Sequence, residues 1–263
     1  MSAEPHAAHD DFLQFCTGVR RLTGIDLTQY KRRQMERRVR TFADRRAPDL
    51  PAYLQVLSGS RDELNDFLDR VTINVSQLWR NPEQWEALAK IVASLAETGT
   101  VRAWSAGCSY GAEAYTLAAI GREVAPKARL EILGTDIDKR MVERAREGRF
   151  TTDDARTAPP AQLKKWFDAE PGGWQAKPEL RMLTRFDTGD LLNDRVQPGR
   201  FDLVLCRNVV IYYTEPDRDA LHHRLVESLR PGGYLMVGSS ERVAEPRAMG
   251  LECPSPFIYR KAA

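Results

Sequence analysis

A buried strand that runs into a glycine turn is the feature that most constrains the fold of this chain. Val101–Ala106 is mostly apolar, and Gly107 and Gly111 mark the turn before a helix begins. A second apolar stretch, residues 130–135, ends at Asp136. Strands that alternate with helices predict a parallel sheet covered by helices on both faces. Ligands of such sheets bind beyond the carboxyl ends of the strands, so we expect the binding site beside Gly107 and Asp136.

The acidic residues after the second strand indicate which ligand binds there. Asp138 is a helix N-cap candidate, which leaves Asp136 to accept hydrogen bonds from a ribose diol, because a carboxylate is acceptor-only. The turn lacks the three-glycine G-x-G-x-x-G fingerprint, so no pyrophosphate cradle is evident. A nucleoside without a diphosphate fits better. S-adenosylmethionine is the commonest such cofactor, and the pattern therefore predicts a methyltransferase.

The same turn also matches G-x-S-x-G, the nucleophile elbow of α/β-hydrolases, with Ser109 at its centre. His222 and His223 follow in an order that permits a triad. Both histidines lie in a predicted helix, however, and no HGGG-like oxyanion segment precedes the turn. A hydrolase therefore remains an alternative, as does a purely structural glycine turn.

The two halves of the chain have different patterns, which predict two domains. Residues 11–97 have helical periodicity throughout, whereas strands and helices alternate after residue 100. We predict an all-helical N-terminal domain over residues 1–80 and a Rossmann-like α/β domain over residues 81–263. A small β-containing insertion over residues 151–187 interrupts the second domain. Within the pattern, residues 180–186 resemble a hairpin and residues 257–260 an edge strand.

Composition narrows the class of protein. The chain has 263 residues and a formal net charge of +2, so there is no global electrostatic case for nucleic acid. Its cysteines are scattered without a C-x-x-C pair, which argues against a zinc site or a disulfide framework and for a reducing compartment. No stretch approaches the roughly 20 apolar residues of a membrane span. We expect a cytoplasmic protein without a bound metal.

A local basic run lies in the helical half. Lysine and arginine recur from Lys31 to Arg46, and at helical pitch Arg33, Arg37 and Arg40 fall opposite the apolar Met35 and Val39. One interpretation is a solvated helix face. The other is a docking surface for an acidic partner, either a protein helix or nucleic acid.

Polar residues also follow a third apolar stretch, Phe201–Cys206. Arg207 and Asn208 begin where this buried strand should end, and both would need polar partners. Asn208 can bind the methionine part of the cofactor through its backbone and amide. The segment differs from the Asn/Asp-Pro-Pro-Tyr/Phe motif associated with transfer to amino nitrogens, which argues against adenine or glutamine N-methylation.

Taken together, these motifs closely resemble the CheR-type chemotaxis receptor methyltransferases over nearly the whole chain. The resemblance rests on Arg80, residues 104–109, 111–115, 135–138, 206–209, 211–212 and 231–234. It implies a class I S-adenosylmethionine-dependent methyltransferase that esterifies glutamate side chains on chemoreceptor signalling helices. S-adenosylhomocysteine is then the product.

The resemblance also implies roles for particular residues. Arg80 and Tyr212 match positions close to the transferred methyl group, and Arg33, Arg37 and Arg40 match the receptor-docking helix. The positions implied to contact the cofactor are Asn74, Ser76, Arg80, Gly107, Glu113, Asp136, Asp190, Leu191, Asn208 and Val209.

Two departures from the family pattern bear on the expectations. Tyr110 replaces a small residue, which should change packing around the turn more than its chemistry. The insertion around residues 171–177 is short, so we expect no binding of a receptor's tethering pentapeptide. The expected partner is the cytoplasmic helical domain of methyl-accepting chemoreceptors, without nucleic acid or membrane insertion. We expect a monomer that is recruited to chemoreceptor arrays.

Overall fold

The computed structural model describes residues 10–72 and 74–263. Within these ranges the chain forms two compact units. One unit ends at Thr72 and also contains Tyr212–Thr214, and the other begins at Asn74 and holds the rest. The boundary predicted between residues 80 and 81 therefore falls inside the second unit. The reason is a pair of long-range contacts, since the Leu78 amide donates to the carbonyl of Asp154 at 2.9 Å and Thr157 donates to the Leu78 carbonyl at 2.7 Å.

The first unit is helical, as the periodicity predicts. Its core is a cluster of aromatic rings in which Phe15, Tyr53 and Phe67 stack or meet edge to face at 5.7–6.0 Å. Some of its helices begin at side-chain caps, since Asp10 accepts from the Leu13 amide and Ser60 from the Glu63 amide. The helices are α1 (Asp11–Thr23), α2 (Arg32–Ala43), α3 (Leu50–Gly59) and α4 (Arg61–Val71).

The second unit contains a seven-stranded sheet with helices, which confirms the predicted Rossmann-like α/β class. Its strands are β1 (Val101–Ala106), β2 (Leu130–Asp136), β6 (Thr184–Thr188), β7 (Phe201–Cys206), β8 (Leu229–Val237), β9 (Leu251–Ser255) and β10 (Ile258–Lys261). The strand order is β6-β2-β1-β7-β8-β10-β9, parallel from β6 to β8 and antiparallel beyond. Its helices are α5 (Pro82–Glu97), α6 (Ala112–Val124), α7 (Lys139–Glu147), α8 (Pro160–Trp166), α9 (Pro178–Arg181) and α10 (Glu215–Ser228).

A small antiparallel sheet overlaps the insertion predicted over residues 151–187, but its first strand begins before residue 151. Its order is β3-β5-β4, with β3 (Arg149–Thr151), β4 (Phe167–Glu170) and β5 (Gly173–Ala176). The hairpin is therefore β4–β5, and the hairpin predicted for residues 180–186 is wrong. Those residues instead enter β6, which pairs with β2 in the main sheet, where Phe186 fills the space beside Gly134. A Cβ atom at Gly134 would lie 2.6 Å from the Phe186 ring.

The edge strand predicted for residues 257–260 is wrong. Residues 258–261 form β10, which lies between β8 and β9 and is not an edge strand. The edge is β9, a strand that the apolar pattern did not predict because most of its side chains are exposed. In the described part of the chain no helix is long and apolar enough to cross a membrane. The same residues contain no group of histidine, cysteine and acidic side chains that could hold a metal ion.

Candidate active site

The glycine turn after β1 brings backbone amides toward the end of β2. The amides of Gly107 and Cys108 both donate to the Thr135 carbonyl at 2.9 Å. Gly107 has a φ of +74°, and a Cβ atom there would meet Val209 at 2.6 Å. Glycine is therefore required at this position, since an L side chain is both strained and without room. The turn packs directly against the segment that follows β7.

Asp136 ends β2 and is buried against this turn. Its Oδ2 accepts from the Ser109 amide at 2.7 Å, and its Oδ1 accepts from the Asp138 amide at 2.9 Å. Burial raises its pKa to about 6, although these backbone hydrogen bonds act in the opposite direction. Each carboxylate oxygen keeps one further lone pair. The residue can therefore still accept from a diol, but it is less free than its sequence position indicates.

Asp138 is the N-cap of α7, as predicted, and accepts from the Arg140 amide at 3.0 Å. Its other oxygen accepts from the Asn74 side-chain amide at 3.1 Å. The Ser109 hydroxyl in turn donates to the Asn74 amide oxygen at 3.4 Å. Asn74, one of the residues implied by the resemblance, is thus placed beside the end of β2.

Glu113 lies in the first turn of α6 and is buried. Its Oε1 accepts from the Ser105 hydroxyl at 2.7 Å, and its Oε2 lies 3.5 Å from a guanidinium nitrogen of Arg207. Burial raises the pKa of Glu113, while Arg207 opposes that shift. The contact connects α6 to the end of β7, the strand that pairs with β1.

Arg207 is a buried cation, and it has the polar partners that its position after β7 requires. It donates to the Arg80 carbonyl at 2.8 Å and to the Gln84 side chain at 2.8 Å, and its guanidinium lies 5.0 Å from the Trp85 ring centre. Burial lowers the pKa of Arg207, and Glu113 opposes this. Because these partners begin α5, Arg207 fixes the segment that carries Arg80.

Arg80 lies in a tight turn between two residues with unusual backbone geometry. Trp79 and Asn81 have φ values of 53° and 57°, in the left-handed region. The Arg80 side chain donates to the Val75 carbonyl at 3.0 Å. Asn81 precedes Pro82 at the start of α5 but makes no side-chain cap, and its side-chain oxygen instead accepts from Arg207 at 3.4 Å.

Asn208 and Val209 follow β7, and the carboxylate of Glu241 organises their backbone. One Glu241 oxygen accepts from the amides of Asn208 and Gly238 at 2.7 Å, and the other accepts from Val210 at 3.1 Å. The Asn208 side-chain oxygen is buried and has no partner among the described residues. Glu241 is not among the site residues predicted from the sequence. It follows the buried strand β8, so the strand-end argument used for Asp136 would have found it.

Asp190 and Leu191 lie beyond the end of β6. The Asp190 carboxylate is used locally, since it accepts from the amides of Leu192 and Asn193 at 2.9 and 3.1 Å. The Leu191 carbonyl accepts from Arg224 at 2.8 Å. This segment would therefore contact a ligand mainly through its backbone, since the Asp190 carboxylate already has partners.

The remaining predicted residues belong to the helical unit. The Tyr212 carbonyl accepts from the Lys31 amide at 3.0 Å. Arg33 and Arg37 are exposed on α2, whereas Arg40 forms ion pairs with Asp11 and Glu36, both at 2.8 Å.

The hydrolase alternative finds no support in this geometry. The Ser109 hydroxyl donates to Asn74, and His222 is buried in α10 with neither ring nitrogen hydrogen-bonded to a described residue. A nucleophile without a base in contact does not form a triad.

The polar groups at the strand ends fit S-adenosylmethionine. Asp136 offers two carboxylate lone pairs to a ribose diol. The unpartnered Asn208 oxygen and the Glu113 carboxylate are acceptors suited to an ammonium group. An unsatisfied buried oxygen is costly in a folded chain, so a ligand donor at Asn208 would remove that cost.

Comparison with known proteins shows that two family models match the chain. The description "CheR methyltransferase, SAM binding domain" matches residues 74–254, and "CheR methyltransferase, all-alpha domain" matches residues 10–72.

Curated relatives match over nearly their full length. A chemotaxis protein methyltransferase of Listeria innocua is 34% identical over 255 residues, covering 95% of this chain and 97% of that protein. Chemotaxis protein methyltransferase 1 of Pseudomonas aeruginosa is 31% identical over 271 residues, covering 97% of this chain and 98% of that protein. The chemotaxis protein methyltransferase of Salmonella typhimurium is 30% identical over 243 residues, covering 88% and 83%.

Proposed function

We propose, on the premise that this chain belongs to the CheR methyltransferase family, that it methylates glutamate side chains of chemoreceptor signalling helices. The chain is an S-adenosylmethionine-dependent methyltransferase of chemotaxis. The proposal adds the acceptor, a glutamate carboxylate, and the product, a glutamyl methyl ester.

The observation that carries the proposal is that the three buried carboxylates of the site, Glu113, Asp136 and Glu241, already have partners within the protein. Asp136 and Glu241 accept backbone amides, and Glu113 accepts Ser105 and faces Arg207. Asp136 and Glu113 are assigned to the cofactor, and Glu241 accepts three backbone amides, so under this proposal none of the three is left to remove a proton from a substrate. A hydroxyl acceptor would need such a base. A glutamate, with a reference pKa of about 4.3, is already ionised at neutral pH and does not.

Because no base is needed, the rate of methyl transfer then depends on how the carboxylate and the methyl group are positioned. When bound, S-adenosylmethionine supplies a sulfonium methyl group that a carboxylate oxygen accepts as the sulfur–methyl bond breaks and the sulfur becomes a neutral thioether. We assign Asp136 to the ribose diol, and Asn208 and Glu113 to the amino-acid end of the cofactor. Gly107, Asp190, Leu191 and Val209 shape the cofactor pocket through their backbone.

Arg80 and Tyr212 remain the proposed residues near the methyl group. Arg80 would hold the attacking carboxylate or the cofactor carboxylate, and Tyr212 would shape the methyl pocket. Proximity and in-line geometry supply most of the acceleration in such a reaction.

The proposed receptor surface is the exposed side of α2, through Arg33, Arg37 and Arg40. An acidic helix is favoured over nucleic acid, because the basic run contains one aromatic residue, Phe42, and it is not available for base stacking. Phe42 is buried, and the guanidinium groups of Arg46 and Arg70 lie 3.7 and 4.9 Å from its ring centre.

The decisive experiment uses cofactor labelled in its methyl group and a cytoplasmic receptor fragment. We expect label on the fragment that alkali releases as methanol, as an ester requires. A matched fragment whose acceptor glutamates are replaced by alanine should take up none. Label that resists alkali, or equal labelling of the two fragments, would refute carboxyl methylation.

A further inference from the structure

A buried tyrosine of the glycine turn reaches the loop that precedes α5. The Tyr110 hydroxyl donates to the Ser76 carbonyl and also lies 2.9 Å from the Asp154 side chain. Ser76 is in the segment 74–80, which carries the proposed cofactor contacts Asn74, Ser76 and Arg80. Tyr110 itself is 2% exposed, so its ring is fixed by packing.

Two further side chains complete this cluster. The Arg144 guanidinium lies 3.9 Å from the Tyr110 ring centre and forms an ion pair with Asp154. Asp154 accepts the Thr151 amide through its side chain at 2.8 Å and the Leu78 amide through its carbonyl at 2.9 Å. Tyr110 and Asp154 therefore hold the same loop at neighbouring positions, Ser76 and Leu78.

The part of the loop before Ser76 is only partly fixed. The Val75 side chain is 64% exposed, and the Val75 carbonyl accepts from the Arg80 side chain of the same loop at 3.0 Å. Asn74 is held at one end through Asp138 at 3.1 Å, and Trp79 at the other through the Thr116 hydroxyl at 3.0 Å. Between these anchors, the Ser76 carbonyl is fixed by a side chain from the glycine turn.

We infer that Tyr110 is a positioning residue for the cofactor, because its hydroxyl fixes the loop that carries Asn74, Ser76 and Arg80 relative to the glycine turn. The inference rests on the proposed assignment of that loop to the cofactor. Burial and the charge of Asp154 raise the pKa of Tyr110, so the phenol remains a hydrogen-bond donor at neutral pH.

A matched control is present in the same core. Tyr115 is also buried, also contacts the Phe150 ring, and donates to a backbone carbonyl, that of Ala145, at 3.1 Å. Its hydroxyl connects α6 to α7 and does not contact the loop. Tyr110→Phe and Tyr115→Phe each remove one buried hydroxyl from a comparable site.

The experiment compares the two variants by calorimetric titration with S-adenosylhomocysteine and by hydrogen exchange of the amides at residues 75–80. We expect Tyr110→Phe to raise the Kd about three- to tenfold, the effect of one neutral hydrogen bond, and to speed exchange at Leu78 and Trp79. Tyr115→Phe should leave the Kd within about twofold and the loop exchange unchanged, although it removes a hydrogen bond of similar strength. A thermal melt of each variant establishes that it is folded.

Three outcomes would overturn the inference: an equal loss of affinity in both variants, faster loop exchange without a change in Kd, or no change in either. Should Tyr110→Phe fail to fold, Arg144→Ala, which removes the partner of Asp154 from a partly exposed position, is expected to produce the same exchange signature. If the proposed glutamate acceptor is wrong, the labelling experiment would give a label that resists alkali, while the protein would still bind the cofactor.

Discussion

Burial determines how Asp136 responds to pH. Its carboxylate lies behind the glycine turn, and its pKa is raised to about 6 from an ordinary value of 3.8. Between these two values the folded chain takes up a proton that the unfolded chain does not. For this residue alone, acidification through that window therefore favours the folded state. Cofactor affinity should move in the opposite direction, because protonation converts an acceptor oxygen into a donor.

We predict that the affinity for S-adenosylhomocysteine falls as the pH drops below about 6, approaching tenfold per pH unit if only the ionised form binds. Calorimetric titration from pH 8 to pH 5 measures it. Asp136→Asn should bind weakly and lose this pH dependence, since its amide does not titrate. An unchanged pH profile in that variant would show that another group titrates, and an unchanged Kd at pH 8 would show that Asp136 does not bind the diol.

The single-residue assignments show which kind of information the sequence contains. Asp138 was recognised as a helix cap because capping depends on its immediate neighbours. The partners of Glu113 and Asp136 were not predicted, since Arg207 and Ser109 reach them only after β1, β2 and β7 pair. The effect of Tyr110 was expected to be one of packing, yet its hydroxyl contacts Ser76. A contact between residues so far apart in the sequence produces no periodicity or spacing from which it could be predicted.

At the scale of elements, the structure of α2 agrees with the face predicted from its sequence. Met35 and Val39 are buried as their spacing predicts, and Phe42 and Ala43 are buried as well. Its three candidate docking arginines are not equivalent, however. Arg33 and Arg37 are exposed and form no ion pair within residues 10–72 and 74–263, whereas Arg40 contacts Asp11 and Glu36. Replacing Arg40 would therefore disturb the helical unit as well as any docking surface.

The docking proposal is best tested with Arg33→Ala and Arg37→Ala together. We expect KM for the receptor fragment to rise about three- to tenfold, because each exposed ion pair contributes about 0.2–1 kcal/mol. The Kd for S-adenosylhomocysteine should stay constant. Added salt should raise KM for the unmodified enzyme more than for the variant, since screening acts on the same charges.

The matched control for this variant replaces two exposed arginines of the same unit, Arg21 on α1 and Arg61 on α4. It removes the same charge from other surfaces. If both double variants raise KM equally, the effect comes from net charge and α2 is not the receptor surface.

The elements that the sequence predicts wrongly are those whose structure depends on which strands pair. The pattern of residues 180–186 permits either a hairpin or a single strand, and only the pairing of β6 with β2 decides between them. Likewise β9 exposes most of its side chains, so it has no apolar alternation to detect. Local periodicity predicted the buried parallel strands β1, β2 and β7 because both of their faces are covered.

At the scale of the whole molecule, the candidate cofactor residues are distributed unevenly. Apart from Tyr212, all of them belong to the unit that begins at Asn74. The five tryptophans of the chain, Trp79, Trp85, Trp104, Trp166 and Trp174, lie in that unit as well. Tryptophan fluorescence therefore reports the unfolding of the cofactor-binding unit without a contribution from the helical unit.

We predict that S-adenosylhomocysteine raises the midpoint of the tryptophan-detected thermal transition. A ligand at a hundred times its Kd stabilises the folded state by about 2.7 kcal/mol. For a unit of this size that corresponds to a shift of about 5–10 °C. ATP at the same concentration should produce no shift, because the glycine turn lacks a pyrophosphate cradle. A midpoint unmoved by saturating S-adenosylhomocysteine would contradict the assignment of the cofactor site to this unit. An equal shift with ATP would show that the glycine turn does not exclude a nucleotide with a polyphosphate.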